Sequence, residues 1–129
     1  MMEKAFKGSI DKEGNFKLRD AKAFKSFLEQ HKSTDMIVSI HLADSPASKF
    51  SINYFMHIIC LEYIQIFKIH LNEFTTKEKI SYTLRSWTPV CIKDNEVLEL
   101  EDLSQEQLNE LIRNSKYIAS KEFDYFISD

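Results

Sequence analysis

Apolar side chains lie more densely between Ser48 and Leu71 than anywhere else in the chain, and neither Gly nor Pro interrupts them. Read as a helix, Phe50, Ile52, Tyr54, Phe55, Met56, Ile58, Ile59, Cys60, Leu61, Tyr63, Ile64, Ile66, Phe67, Ile69 and Leu71 leave it apolar nearly all the way round. A helix of that kind is normally buried, in a core or in a membrane. About 20 apolar residues suffice for a membrane span. Here Asn53, His57, Glu62, Gln65, Lys68 and His70 break the run, and each charged group at a bilayer centre costs roughly 2.5 to 3.5 kcal/mol. The stretch is therefore expected to be the central helix of a soluble domain, with no membrane partner.

A chain of 129 residues is long enough to cover such a helix with one core, so a single globular domain over residues 1–129 is expected. Two Gly and two Pro leave little material for irregular loops. Cys60 and Cys91 sit inside apolar segments rather than in a spaced framework, which reads as two reduced thiols in a cytoplasmic protein. The amino terminus, MMEKAFKGSIDKEG, has no apolar run after its early lysines, and no secretory signal is expected.

On either side of the helix the pattern changes. Residues 5–19 alternate around Asp11-Lys12-Glu13-Gly14-Asn15, the signature of a β-hairpin with Gly14 in the turn. Phe6, Ile10, Phe16 and Leu18 should face the core, and Lys7, Lys17 and Arg19 the opposite side. Asp20 suits the N-cap of a helix to about Gln30, with Ala23, Phe24, Phe27 and Leu28 as its stripe. The β-branched, alternating run Asp35–Leu42 predicts a central strand. Pro46 lies in the entry to the long helix, where Ser45 or Ser48 can cap it. Thr75 and Glu78 have capping-box spacing ahead of a helix to about Trp87 that carries Ile80, Leu84 and Trp87 on one face. Residues 90–100 suggest a second hairpin. Ser104 to Gln107 is another capping box, opening a helix to about Glu122 with Leu108, Leu111, Ile112, Ser115, Ile118, Ala119 and Phe123 as its stripe. The fold class is therefore α+β: a small antiparallel or mixed sheet, made of the amino-terminal hairpin and the central strand, packed on a long buried helix with two further helices.

Charge is unevenly spread. Residues 1–50 hold nine Lys/Arg and seven Asp/Glu, whereas residues 91–129 hold four against ten. An anionic partner should meet the first part and be repelled by the last. Lys7, Lys17, Arg19, Lys22 and Lys25 are the candidate phosphate contacts, with Trp87 or Tyr54 as a platform on which a base can stack; the same cations also suit an ordinary solvated face. Glu99, Glu101 and Asp102 are the candidate surface for a basic protein partner, although acidic residues near a helix start also serve its dipole.

Catalytic chemistry has little to build on. There is no Gly-rich phosphate loop, nucleophile elbow or paired metal-ligand motif. His57 and Cys60 stand three apart but lack two further zinc ligands at module spacing, and His41 has no ligand-type neighbour nearby. No catalytic residue, metal or cofactor is expected.

From Ser48 to Ile59 the chain reads Ser-Lys-Phe-Ser-Ile-Asn-Tyr-Phe-Met-His-Ile-Ile. This resembles the S-x-x-Q-x-x-Y-(Y/W)-x-x-(V/I)-I opening of the long helix in phage and prophage recombination proteins of the NinB/Orf type. Ser48, Tyr54, Phe55, Ile58 and Ile59 fit, and Ser51 stands where the family has glutamine. The order of elements around it is similar, down to the closing Leu103-Ser104-Gln105-Glu106-Gln107 helix and Glu122-Phe123-Asp124-Tyr125-Phe126-Ile127. The resemblance implies a non-catalytic accessory of recombination or replication that binds single-stranded DNA, works alongside single-strand binding protein and forms a homodimer.

Overall fold

The apolar run forms the spine of the fold in a computed structural model, which describes residues 4–40 and 42–127. It starts as α2 (Lys49–Tyr54), widens into a single π turn (Phe55–Ile59) and continues as α3 (Cys60–Leu71). Ser48 caps it, its hydroxyl accepting from Ser51 N at 3.1 Å. Asn72, left-handed at φ 52°, ends it. The π turn has a packing consequence. At about 100° per residue, an unbroken α-helix would spread the buried positions Ser51, Tyr54, Phe55, Ile59, Cys60, Tyr63, Ile66 and Phe67 around about two-thirds of its circumference. One wide turn retards the phase by about one residue and gathers them into less than half.

Against that face pack α4 (Lys77–Ser86) and α5 (Gln105–Phe123). Ile80 and Leu84 from α4, and Leu108, Leu111 and Ala119 from α5, are fully buried with the spine residues. Each such Leu, Ile or Phe contributes about 1.5 to 3 kcal/mol on burial. Between α4 and α5 lies a short hairpin, β3 (Ile92–Lys93) and β4 (Glu96–Val97), whose turn residues Asp94 and Asn95 both take positive φ. Asx residues tolerate that conformation better than other non-glycine residues. Tyr125 closes the carboxy-terminal end by donating its hydroxyl to Glu62.

The starts of α2 and α5 are stitched together. Gln105 accepts from Ser48 N at 2.8 Å and donates to Ser51 Oγ at 3.0 Å and Asn109 Oδ1 at 2.9 Å. Its own N–H donates to Ser45 O at 2.7 Å, and Ala47 N to Leu103 O at 3.1 Å. Helix starts carry unsatisfied N–H groups, and here one amide side chain serves the neighbouring helix. Ser104 and Gln107 complete the expected capping box of α5.

Residues 4–40 form a second compact unit, distinct from the one that contains residues 42–127. Strands β1 (Gly8–Ile10) and β2 (Phe16–Leu18) pair antiparallel with Gly8 opposite Leu18 and Ile10 opposite Phe16. Gly14 takes the positive φ that the turn needs, at 85°. Asp20 caps α1 (Ala21–Gln30), accepting from Ala23 N at 3.0 Å. Phe6 meets Phe24 and Phe27 edge-on, with ring centroids 5.1 and 5.4 Å away.

The class is α+β, with two separate two-stranded antiparallel sheets. Four details differ from the sequence expectation. Residues 35–40 and Leu42 form no strand; His41 lies outside the described residues. Ile37, Val38 and Ile40 are 95%, 74% and 90% exposed. β-branched alternation suits a half-buried pleated surface, but a strand also needs a bonding neighbour, and each hairpin pairs only with itself. Ile10 and Phe16, expected in the core, are also mostly exposed. Phe16 instead lies across Gly8, where an added Cβ would sit 2.6 Å from its ring. Thr76, not Thr75, caps α4, accepting from Lys79 N at 3.3 Å. The spine, finally, is buried on one side only, since Phe50, Leu61 and Ile69 face outward. By length and composition alone Lys49–Leu71 could cross a membrane; here its other face is the core.

Candidate functional site

The hairpin register decides where the amino-terminal cations go. Side chains alternate faces along a strand, so with Ser9 opposite Lys17, and Arg19 N donating to Lys7 O at 2.8 Å, Lys7, Lys17 and Arg19 share one face. All three are exposed, as are Lys22 and Lys25 on α1. Lys17 Nζ lies 4.0 Å from Asp11, a long and exposed contact that holds it weakly. Within residues 4–40, eight Lys/Arg meet five Asp/Glu, whereas residues 42–127 hold nine against thirteen. The compact units thus sharpen a charge separation already visible along the chain.

The acidic candidates sit on a rigid turn. Glu99, Glu101 and Asp102 are exposed around the 3-10 turn Leu100–Asp102, which the buried Leu100 and Leu103 anchor. Arg85 holds this segment from α4. Its guanidinium is buried, with Nε donating to Ser81 O at 3.2 Å and Nη1 to Leu98 O at 2.6 Å, 3.9 Å from Glu99 Oε2. Arg85 is therefore a structural cation rather than a surface one beside Trp87.

The two proposed stacking aromatics part company. Tyr54 is fully buried in the core, with Lys116 Nζ 5.3 Å above its ring, and cannot stack a base; apolar spacing on a central helix placed it inside. Trp87 is 44% exposed at the end of α4. It belongs to residues 42–127, not to the unit carrying the five basic candidates. Its ring lines an open cleft of about 370 Å³ with Ile118, Glu122 and Phe123, so the charge beside it is a carboxylate.

His57 is exposed, with its Nδ1 3.2 Å from Lys77 Nζ, while Cys60 is fully buried. The pair offers no shared accessible face. Among the described residues no three His, Cys, Asp or Glu side chains gather as metal ligands would. Burial pushes the Cys60 thiol up to about 12 and that of Cys91 up to about 11, against the smaller opposing pull of Arg85. Both are inert as nucleophiles near neutral pH.

Sequence reasoning missed the role of Gln105 and the cleft partners of Trp87. Ile118 and Glu122 stand four apart on α5, a readable helical pair, but nothing in the sequence brings Trp87 opposite them. No family model, curated protein or solved structure matches this chain.

Proposed function

We propose that the chain is a non-catalytic accessory protein that holds single-stranded nucleic acid on the basic face of residues 4–40. The supporting observation is that Lys7, Lys17 and Arg19 share an exposed hairpin face in the one compact unit with a surplus of positive charge. Phosphate neutralisation by such a face is sequence-independent and salt-sensitive, with a slope of log K against log salt of roughly −0.7 per phosphate contact on single strands. Lys22 and Lys25, on the side of α1 turned away from Phe24 and Phe27, add to the positive charge of the same unit rather than to this face. The phage recombination resemblance supplies the setting, a cytoplasmic one with single-strand binding protein as a companion. Anisotropy of a labelled oligonucleotide tests the reading: affinity falls with added salt, and falls at least tenfold further when Lys17 and Arg19 become Glu. Absence of binding at low salt removes it.

Self-association belongs to the same reading. Met36-Ile37-Val38-Ser39-Ile40 is uncharged, free of Pro and exposed, the kind of backbone that pairs with another chain. Antiparallel pairing of two copies about Val38 would set Met36 against Ile40 and bury one apolar face of each. A Val38→Pro variant that stays dimeric in light scattering rules this pairing out.

A second reading rests on the acidic turn. Glu99, Glu101 and Asp102 are held by Arg85 and by buried leucines, a preformed surface for a basic partner. A complex that survives Lys17→Glu and Arg19→Glu but is lost when these three are neutralised belongs to it.

A further inference from the structure

The Trp87 cleft is built rather than incidental. Thr88, 1% exposed, donates its hydroxyl to Leu84 O at 2.8 Å and fixes the turn after α4. Asn114 on α5 donates to Trp87 O at 3.2 Å and to Thr88 Oγ1 at 2.9 Å. Asn114, Ile118 and Glu122 recur every four residues, one ridge of α5. The ridge that clamps the Trp87 backbone therefore also forms the cleft wall. Phe123 is fixed behind it by ring contacts with His70, Phe67 and Tyr63 at 5.8, 6.1 and 6.5 Å.

The lining chemistry is selective. Two aromatic side chains and an isoleucine line the cleft together with one formal charge, that of Glu122. The adjacent cation, Lys121, lies over the ring of Tyr117 at 5.4 Å. An anionic ligand would meet a like charge here, and a purely apolar one would leave the carboxylate unused. An apolar stem with a planar cationic head satisfies both, because a guanidinium stacks on aromatic faces and pairs with a carboxylate through two parallel hydrogen bonds.

We propose that the cleft between Trp87 and the last turns of α5 binds an arginine side chain of a partner peptide, its stem between Trp87 and Phe123 and its guanidinium on Glu122. The volume, about 370 Å³, is at the lower end for a ligand pocket and accommodates one side chain rather than a folded segment. Only residues 87 and 118–123 are involved, so the inference is independent of the nucleic-acid reading.

Trp87 is the sole tryptophan, so its single indole N–H signal in a two-dimensional NMR spectrum reports the cleft directly. Titration of the full chain with N-acetyl-arginine methylamide moves that signal saturably, with a dissociation constant on the order of millimolar for one side chain. The citrulline analogue, neutral and nearly isosteric, gives no saturation, and Glu122→Gln weakens the arginine compound at least fivefold. Phe123→Leu, which removes one aromatic face but keeps an apolar side chain, weakens it as well. Equal binding of the citrulline analogue, or unchanged binding in Glu122→Gln, overturns the proposal. Tetramethylammonium binding as tightly as the arginine compound assigns the cleft to a small free cation and overturns the peptide assignment.

Discussion

Replacing Gln105 with Met tests the junction on which the larger unit depends. The substitution keeps most of the volume and the apolar stem, so what it removes is polar: the acceptor for Ser48 N–H and the donors to Ser51 Oγ and Asn109 Oδ1. Gln105 is 6% exposed, so water does not readily replace them. The Ser48 N–H is half-buried, so leaving it unpaired costs toward the lower part of the roughly 1 to 3 kcal/mol of a buried donor, and each further lost bond costs about 0.5 to 1.5. Asn109 is only half-buried and regains water. The sum is about 2 to 4 kcal/mol. Urea unfolding followed by helical circular dichroism and by Trp87 emission measures it. With a denaturant slope near 1 kcal/mol/M, the midpoint falls by about 2 M or more. A cycle with Ser51→Ala supplies the stricter check, since the Ser51 hydroxyl lies between Ser48 and Gln105; a coupling of about 1 kcal/mol is expected for residues in one network. A midpoint shift below about 0.5 M, or additive effects in the cycle, refutes the bridging role.

Two tyrosines of the spine should respond in opposite directions. The Tyr54 hydroxyl is buried without a partner, so Tyr54→Phe is neutral or stabilising by up to about 1 kcal/mol, whereas Tyr63→Phe loses a 2.6 Å bond to Ser115 O and destabilises by about 1 kcal/mol; thermal melts of both variants decide. Arg85→Met strips Leu98 O of its donor and is expected to cost about 2 to 4 kcal/mol, while Glu99→Gln, at an exposed 3.9 Å contact, stays within about 0.5 kcal/mol; equal losses in denaturation would overturn that ranking. The raised thiols of Cys60 and Cys91 set a pH dependence: the folded state keeps protons that the unfolded state releases above about pH 9, so stability is full below that pH and declines as pH rises toward 11 to 12. Replacing both by Ala should flatten that alkaline limb in a pH series of urea midpoints. Hydrogen exchange offers a fourth readout, since oligonucleotide should slow exchange at Arg19 N–H, bonded to Lys7 O, and the Lys17→Glu, Arg19→Glu variant should abolish the slowing.

Local signals in the sequence were reliable where neighbours along the chain decide the outcome. Asp20, Ser48 and Ser104 cap the helices they precede, because a cap is a contact over two or three residues. The hairpin at residues 8–18 and its basic face follow from period-two alternation and one glycine turn. The failures needed distant partners. Met36–Ile40 has strand chemistry but no strand beside it, whereas the burial of Tyr54 was already readable from its place on the apolar central helix and only its use as a stacking platform was not. The π turn is likewise invisible in composition: it answers a packing problem, too broad an apolar arc for one helix face, that exists only once α4 and α5 are in place. For the candidate sites, the basic residues were legible as charge, whereas the Trp87 cleft arises from a side chain clamped by α5 across the fold.

The two candidate surfaces are supported differently, and this bears on what each can recognise. None of residues 4–40 is buried, and two short strands with one helix give little apolar cover; isolated hairpins of this size are marginal in water. A loosely held basic face suits phosphate contacts, which ask for charge density more than for exact placement. Trp87 and Glu122, by contrast, stand on helices joined through buried Thr88 and through Asn114, so their separation is set before any ligand arrives. Preorganisation of that kind lowers the ordering cost of binding and favours discrimination by shape and charge. Stability measured at the Gln105 junction therefore bears on the cleft, which shares its unit, while leaving the basic face to be judged by salt dependence alone.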